Sequence, residues 1–252
     1  MANIIGGVTT TPLAMQTIKQ KVTDDVSNAL KGTKSGEIVT IDDISPLEHN
    51  IEVKVEGANH ITKSGKNLIP YPYSTISDSG KGIIWTDNGD GTWIVNGTAN
   101  SASYATSKPF MVSKGTYTFS GHITTQYESD CFIYIATEDL SIRYDLNDGN
   151  SKTFTLDKDT EMKVVCRVGT GKKVENHIFK PQLELGTVAT EFEPYIEPIT
   201  YPVNADGSVD GVKSAYPTTV LTADTEGATI MAEYNKDINK TLGDLEILLG
   251  GI

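Results

Sequence analysis

The sequence predicts a mainly β protein, in which a single jelly-roll-type β-sandwich is flanked by an N-terminal helix with a β connector and by a C-terminal helix. Strand-like segments recur at intervals of roughly 8 to 14 residues between positions 67 and 196, with no helical periodicity between them. The chain is also rich in glycine, with 23 residues, and its hydrophobic share of 38% is below that of a typical compact globule. We therefore expect short strands joined by tight turns, with thinner segments at both ends.

Residues 1–36 form the predicted attachment and oligomerisation segment, with a helix over residues 12–31. Pro12 suits the first turn of this helix, and Gly32 suits its end. The apolar stripe is narrow, and a lone helix of this length is marginal in water. We expect the stripe to pack on copies of itself or on another subunit, and docking on its own domain is the alternative. The stripe consists of Met15, Ile18, Val22 and Val26.

Residues 37–59 are predicted to form the β connector. Ile51, Val53 and Val55 alternate there with charged residues, which is the period of a half-buried strand. The predicted sandwich follows over residues 60–197.

The clearest hairpin signal of the sandwich is the polar run at 87–92, which contains an Asn-Gly and an Asp-Gly dipeptide. Period-two alternation on the two flanking strands predicts that Trp85, Trp93 and Val95 point into the core. Phe119, on a later strand, is predicted to join them.

After the sandwich, residues 198–226 are predicted to form a turn-rich β linker, and residues 227–252 a helical segment. Apolar residues recur there at helical spacing: Tyr234, Ile238, Leu242, Leu245 and Leu249. We expect this stripe to contribute to oligomerisation, because Gly243 weakens an isolated helix by about 1 kcal/mol relative to alanine.

The charge balance argues against several classes of partner. The net charge is −12, and no cluster of cations is present to neutralise phosphates, so we expect no nucleic-acid binding. No apolar run approaches 18 residues, so we expect no membrane insertion, and the first residues lack the pattern of a signal peptide. Cys131 and Cys166 are predicted to be reduced, buried thiols, although a disulfide between neighbouring strands stays open.

Three segments carry a resemblance to a known family: KNLIPYPY at 66–73, GIIWTDNGDGTWIVNGTANSASY at 82–104 and KPQLELGTVATEFEPY at 180–195. They resemble the opening and the end of a carbohydrate-binding-module-like domain of phage and prophage tail and baseplate proteins from Gram-positive hosts. The segments at 39–57 and 226–242 are similar to the text that flanks this domain. The resemblance implies a jelly-roll sandwich on a symmetric virion appendage, assembled in the host cytoplasm and exposed on the particle surface.

The expected function is that of a virion structural subunit, a tail fibre or baseplate component that forms a homotrimer. Its expected partners are other copies of itself, other tail, baseplate or capsid proteins and host cell-surface polysaccharide. A stand-alone glycan-binding lectin module, a head or neck fibre and, less favoured, a polysaccharide-cleaving tail enzyme are the alternatives.

A sugar site would need an aromatic face, with polar groups to bind the hydroxyls. The candidates are Tyr127, Tyr144, Tyr104, Trp85 and Trp93. For the two tryptophans, a position in the core is the competing interpretation.

No recognised catalytic motif is present, and we expect neither enzymatic activity nor a cofactor nor a metal. The histidines are scattered singly: His49, His60, His122 and His177. Carboxylates that could be paired on paper for glycoside cleavage are Asp139, Asp145, Glu184 and Glu191, but sequence does not set their separation. The acidic run that begins at Asp87 superficially resembles a calcium loop, yet it lacks the later bidentate glutamate.

Overall fold

The computed structural model describes residues 3–5, 8–10, 34–42, 48, 50–73, 75–77, 82–123, 131–146, 151–214 and 218–234. Every regular element in these ranges is a β-strand, which confirms the mainly β prediction. The helix predicted over 12–31 lies outside the described residues. No helix in the described ranges is long and apolar enough to cross a membrane.

The strands are, in chain order, β1 (Asn3–Ile5), β2 (Val8–Thr10), β3 (Lys34–Gly36), β4 (Ile38–Asp42), β5 (Ile51–Glu56), β6 (His60–Ser64), β7 (Thr75–Ser77), β8 (Ile83–Asp87), β9 (Trp93–Thr98), β10 (Ser103–Thr106), β11 (Phe110–Val112), β12 (Gly115–Ile123), β13 (Cys131–Ala136), β14 (Arg143–Leu146), β15 (Lys152–Leu156), β16 (Thr160–Val168), β17 (Lys173–Leu185), β18 (Ile199–Pro202), β19 (Ser208–Val209), β20 (Thr218–Ala223) and β21 (Thr229–Tyr234).

The chain divides into two compact units. One consists of Met1–Lys63 together with Ile199–Ile252 and is called the discontinuous unit; the other is Ser64–Pro198, the inserted unit. The predicted connector and linker, which are far apart in sequence, both contribute strands to the discontinuous unit. β6 and β18 pair there in antiparallel fashion, with Lys63 opposite Ile199.

The discontinuous unit contains two four-stranded sheets, in the orders β18-β6-β20-β4 and β19-β5-β21-β3, and the small β1-β2 pair. The two larger sheets contribute to one apolar core. The alternation predicted for the connector is confirmed, because Ile51, Val53 and Val55 are buried while the charged residues between them are exposed.

The helical prediction is wrong where it meets β21. Residues Thr229–Tyr234 form a strand that pairs with β5 and β3, and Tyr234 lies opposite Ile51 in that ladder. Ile230 and Ala232 both point into the core, so period-two burial against distant strands overrides the helical spacing. The other members of the stripe, Ile238, Leu242, Leu245 and Leu249, lie outside the described residues. In the N-terminal segment, β1, β2 and β3 are strands that lie on either side of the helix predicted over 12–31.

The inserted unit contains two antiparallel sheets that share one core, an arrangement consistent with a β-sandwich. The six-stranded sheet has the order β14-β13-β16-β10-β7, with β11 also paired to β16. The five-stranded sheet has the order β15-β12-β17-β9-β8.

The predicted core of the sandwich is confirmed. β8 and β9 form the expected hairpin, in which Trp85 lies opposite Val95, and Trp85 and Trp93 are only 8% and 2% exposed. Val95 and Phe119 are fully buried. Trp85 packs edge-on against Trp93, and its Nε1 donates to Ser103 Oγ at 2.9 Å, which satisfies the buried indole N–H.

The two cysteines point into the same core from neighbouring strands. Cys131 lies on β13 and Cys166 on β16, where Cys166 is opposite Ile133 rather than Cys131. Both are buried thiols that form no disulfide, as predicted. Burial raises the pKa of the Cys166 thiol well above its ordinary value.

Candidate functional site

The two ends of the inserted unit meet in a buried hydrogen-bond network, called here the closing network, built from residues that carry the family resemblance. Asn67 Nδ2 donates to the carbonyl oxygens of Pro181 and Glu193 at 3.3 and 3.0 Å. Its Oδ1 accepts from the backbone amides of Ile69 and Leu183 at 3.2 and 3.3 Å. One asparagine side chain therefore fastens the start of the unit to β17 and to the segment that follows β17.

The same segment covers the outer side of β17 in the five-stranded sheet. Glu184 and Gln182 project from β17 on the face opposite the core, yet both are buried. Glu184 accepts from the backbone amide and the hydroxyl of Thr190 at 2.9 and 2.7 Å, and Gln182 Oε1 accepts from the amide of Glu193 at 2.8 Å. The part of this outer face around β17 is thus covered by the unit's own chain, whereas Ile84 at the β8 edge is 66% exposed.

The outer face of the six-stranded sheet is different, since aromatic and charged side chains stand on it partly exposed. On β13, Phe132 and Tyr134 alternate with three buried residues and therefore point away from the core. Their ring centroids are 6.0 Å apart. Arg167 on β16 lies opposite Phe132, and Tyr104 on β10 lies opposite Arg167, so the three form a row across three strands.

Two guanidinium groups lie against these rings. Arg143 Cζ is 4.0 Å from the ring centroid of Tyr134 and 5.8 Å from that of Phe132. Arg167 Cζ is 5.2 Å from the Phe132 centroid. These are cation–π distances, and the contacts hold both guanidinium groups close to the sheet. We call the five residues Tyr104, Phe132, Tyr134, Arg143 and Arg167 the arginine–aromatic face.

Carboxylates at this face are engaged by cations. Arg143 donates from Nε and Nη2 to the carboxylate of Asp145, at 2.6 Å for the shortest contact, and Lys163 Nζ lies 2.5 Å from Glu138 Oε2. Burial raises the pKa of the Tyr134 phenol, an effect that the positive charge of Arg143 partly opposes. Fork-shaped donors, one carboxylate acceptor and apolar ring surface are the groups that bind anions and hydroxyls of a small polar ligand.

The structure separates the predicted sugar-stacking candidates. Only Tyr104 belongs to the arginine–aromatic face. Tyr144 points the other way and stacks on Phe154, with ring centroids 4.0 Å apart, at the edge of the core. Trp85 and Trp93 are core residues, so neither presents a ring to a ligand, and Tyr127 lies outside the described residues.

Sequence reasoning missed Phe132, Tyr134, Arg143 and Arg167. The alternation in the run CFIYIA at 131–136 is a signal for the two aromatic residues, because it places them on the face opposite Cys131, Ile133 and Ile135. The arginines could not be added, since their position beside Phe132 depends on the strand order β14-β13-β16.

The carboxylates considered for catalysis do not converge. Glu184 is held in the network around Thr190, Asp145 is bound by Arg143, and Asp139 lies in a turn. The side-chain hydroxyl of Thr137, together with Ser141, donates to Asp139 and lowers its pKa to about 2.

In the 87–92 turn, Asp87 Oδ1 accepts from the amide of Gly89, and Asp90 Oδ1 accepts from both the amide and the hydroxyl of Thr92. These bonds engage one carboxylate oxygen of each aspartate within the turn itself. Across the described part of the chain, no group of three His, Cys, Asp or Glu side chains is placed to hold a metal.

A cavity of about 740 Å³ belongs to the discontinuous unit. It is lined by residues of β5, β19 and β21, among them Glu52, Lys54 and Met231. The residues described in its lining are of mixed charge and include no aromatic side chain, which gives it no chemistry as specific as that of the arginine–aromatic face.

No protein-family model matches the chain, and no curated protein and no solved structure matches it.

Proposed function

We propose that the chain is a virion structural subunit of a phage or phage-like tail, a fibre or baseplate component that trimerises and presents the inserted unit on the particle surface. The observation that carries the proposal is the closing network. Asn67 belongs to the first segment that resembles phage tail modules, and Pro181, Leu183 and Glu193 belong to the last one. The residues of the resemblance are therefore the ones that join the two ends of the unit, which supports one intact module of that family.

The topology supports a jelly-roll type for this module. Strands that follow each other in sequence, such as β12 and β13, lie in different sheets, and the strand pairs of the unit within the described residues are antiparallel. Chain crossings between two antiparallel sheets are typical of jelly rolls.

The mounting of the module also suits display. The chain leaves the discontinuous unit after β6 and returns to it at β18, and these two strands are paired. A unit that is joined to the discontinuous unit by two adjacent chain connections can be displayed as one compact domain. The partners of the discontinuous unit would be other copies of the chain and other tail, baseplate or capsid proteins.

Light scattering tests the trimer. The expected mass is three times the 27.2 kDa of one chain. The stripes proposed to make the contact lie at 12–31 and beyond 234, so a variant that lacks residues 1–33 and 235–252 should be monomeric. These bounds spare β3 and β21, which belong to a sheet of the discontinuous unit. A monomeric full-length chain at high concentration would refute the trimer.

Labelling of intact particles tests the virion location. An antibody against the inserted unit should decorate the tail of the particle in averaged electron micrographs. Decoration of the head or neck would favour the alternative of a head or neck fibre, and absence from purified particles would refute the structural role.

A stand-alone lectin module is the second candidate, and the arginine–aromatic face is the observation that favours it. Such a protein would bind a glycan as a monomer and would be absent from particles. We propose no hydrolytic activity for either candidate. A reducing-end assay on host cell-wall polysaccharide should give background only, and turnover that one carboxylate substitution abolishes would contradict this.

A further inference from the structure

We infer that the arginine–aromatic face binds an acidic saccharide, a sugar that carries a carboxylate or a phosphate group. The inference rests on the proposed function, since it names the glycan chemistry that the displayed unit contacts. It starts from the face itself: partly exposed aromatic rings, two guanidinium groups in contact with them, and a carboxylate bound to one of these groups.

The use of arginine in this chain is the first argument. Arg143 and Arg167 are the only arginines in the sequence, and every other cationic side chain of the 21 is a lysine. The two arginines lie on two different strands, and both contact the same ring, that of Phe132. Lysine supplies the same charge, but only arginine supplies a planar fork that stacks on a ring and binds a carboxylate or phosphate with two parallel hydrogen bonds. The concentration of all arginine on one sheet face therefore indicates a need for that fork.

Charge is the second argument. The chain has a net charge of −12, so most of its surface repels an acidic ligand. Arg143, Lys163 and Arg167 stand together on the outer side of neighbouring strands, although Arg143 is paired with Asp145 and Lys163 with Glu138. A ligand at this face therefore meets cations whose charge is partly balanced by these carboxylates. Long nucleic acids would still be repelled by the rest of the chain, whereas a short acidic saccharide touches the face alone.

The Arg143–Asp145 pair is the third argument. Both side chains are about one-third exposed, at 33% and 34%, so water screens their attraction and the pair can rearrange around a ligand at little cost. Asp145 keeps the guanidinium in place before binding and can then accept hydrogen bonds from sugar hydroxyls. Phe132 and Tyr134 give apolar ring surface for the C–H face of the sugar.

The two arginines are held before a ligand arrives. Stacking over Tyr134 and Phe132 restricts the guanidinium of Arg143, and Phe132 restricts that of Arg167. Less rotamer freedom is then lost when the ligand binds, which favours affinity and fixes the direction of the donors.

Calorimetry with the full-length chain tests the inference against three probes of similar length: an oligogalacturonate with carboxylates, an oligomer of glycerol phosphate, and neutral maltohexaose. We expect at least one acidic probe to bind about tenfold or more tightly than the neutral one, which corresponds to about 1.4 kcal/mol. The acidic probe that binds identifies the charged group. Its affinity should fall as salt is added, because the charges are partly exposed.

Arg143→Lys and Arg167→Lys are the informative variants, since each keeps the charge and removes the fork. Each should weaken binding of the acidic probe about tenfold. Lys173→Gln, at an exposed position on β17 of the other sheet, is the matched control and should bind as the unchanged chain does. Circular dichroism checks that all variants keep the β fold.

Three results would overturn the inference: equal or tighter binding of maltohexaose, acidic-probe binding that both lysine variants leave unchanged, or no binding of any probe at millimolar concentration. None of them affects the trimer or the virion location, which are measured by mass and by labelling of particles. A monomer that binds the acidic probe through both arginines would instead refute the trimer and leave this inference standing.

Discussion

Replacement of Asn67 by alanine should destabilise the inserted unit more than the loss of one small polar side chain usually does. The side chain is buried, donates to the carbonyls of Pro181 and Glu193, and accepts from the amides of Ile69 and Leu183. Alanine removes all four bonds at once and leaves buried backbone groups without that partner.

The expected loss follows from these four bonds. A hydrogen bond contributes about 0.5–1.5 kcal/mol net, and three of the four bonds of Asn67, at 3.2–3.3 Å, are at the long end of the distance range. We expect the free energy of unfolding to fall by about 3 kcal/mol. That is a large share of the 5–15 kcal/mol by which domains are typically stable, so the unfolding midpoint should move clearly.

Urea unfolding followed by tryptophan fluorescence measures this loss. Trp85 and Trp93 are the only tryptophans of the chain, and both lie in the core of the inserted unit, so the signal follows that unit alone. Asn88→Ala is the matched control, because Asn88 is exposed and its side chain donates to Thr92 Oγ1 in a surface turn. The control should lose less than about 1 kcal/mol. If Asn67→Ala and Asn88→Ala lose the same amount, the closing network does not hold the ends of the unit.

Three further predictions concern local chemistry. Gly121→Ala should prevent soluble folding, because the new Cβ would overlap a backbone carbonyl oxygen of β17. Gly89→Ala, which is also at positive φ but has open space around the new Cβ, should still fold. The yield of soluble protein on expression compares the two variants. Burial holds the pKa of the Cys166 thiol high, so it should react with a disulfide reagent only after urea unfolding; rapid reaction in the native chain would contradict its buried position. The hydrogen bond from Thr137 lowers the pKa of Asp139 to about 2, so its contribution to turn stability is complete above pH 3.8 and is lost as the pH falls towards 2. Thr137→Val should raise this pKa in an NMR titration, and an unchanged value would refute the assigned cause.

The parts of the fold that could be predicted are those whose signal is local. The Asn-Gly and Asp-Gly dipeptides fix the position of a turn, and period-two alternation on either side then fixes which faces of Trp85 and Trp93 are buried. The alternation of Ile51, Val53 and Val55 specifies the buried side of β5 in the same way.

The end of the chain shows where this reasoning stops. The run that contains Ile230 and Ala232 fits a strand, but a helical spacing that begins at Tyr234 competes with it. The decision depends on β5, since Ile230 lies opposite Val55 and Ala232 lies opposite Val53. A contact between residues so far apart in sequence leaves no local trace, so spacing alone selected the wrong element.

The candidate site was beyond sequence reasoning for a related reason. Aromatic residues near loops are the usual candidates for a sugar site, whereas Phe132 and Tyr134 lie in the middle of an apolar run that is typical of a core strand. Their outward direction follows from alternation, but the meaning of that direction depends on Arg143 and Arg167 from two flanking strands. Which part of an outer face is open also depends on the segment after β17, whose buried bond with Gln182 covers the outer side of that strand.

The insertion of one unit into the other gives a last prediction. Lys63 and Ile199 lie opposite each other on β6 and β18, and the inserted unit, Ser64–Pro198, is everything between them in sequence. Because opposite residues of an antiparallel pair can be joined by a two-residue turn, Asn-Gly in place of residues 64–198 should close β6 and β18 into a hairpin. The discontinuous unit keeps its own core, in which Ile61 and Leu221 are fully buried. We expect the shortened chain to unfold cooperatively in circular dichroism. A chain without a cooperative transition would show that the discontinuous unit depends on the inserted unit for its stability.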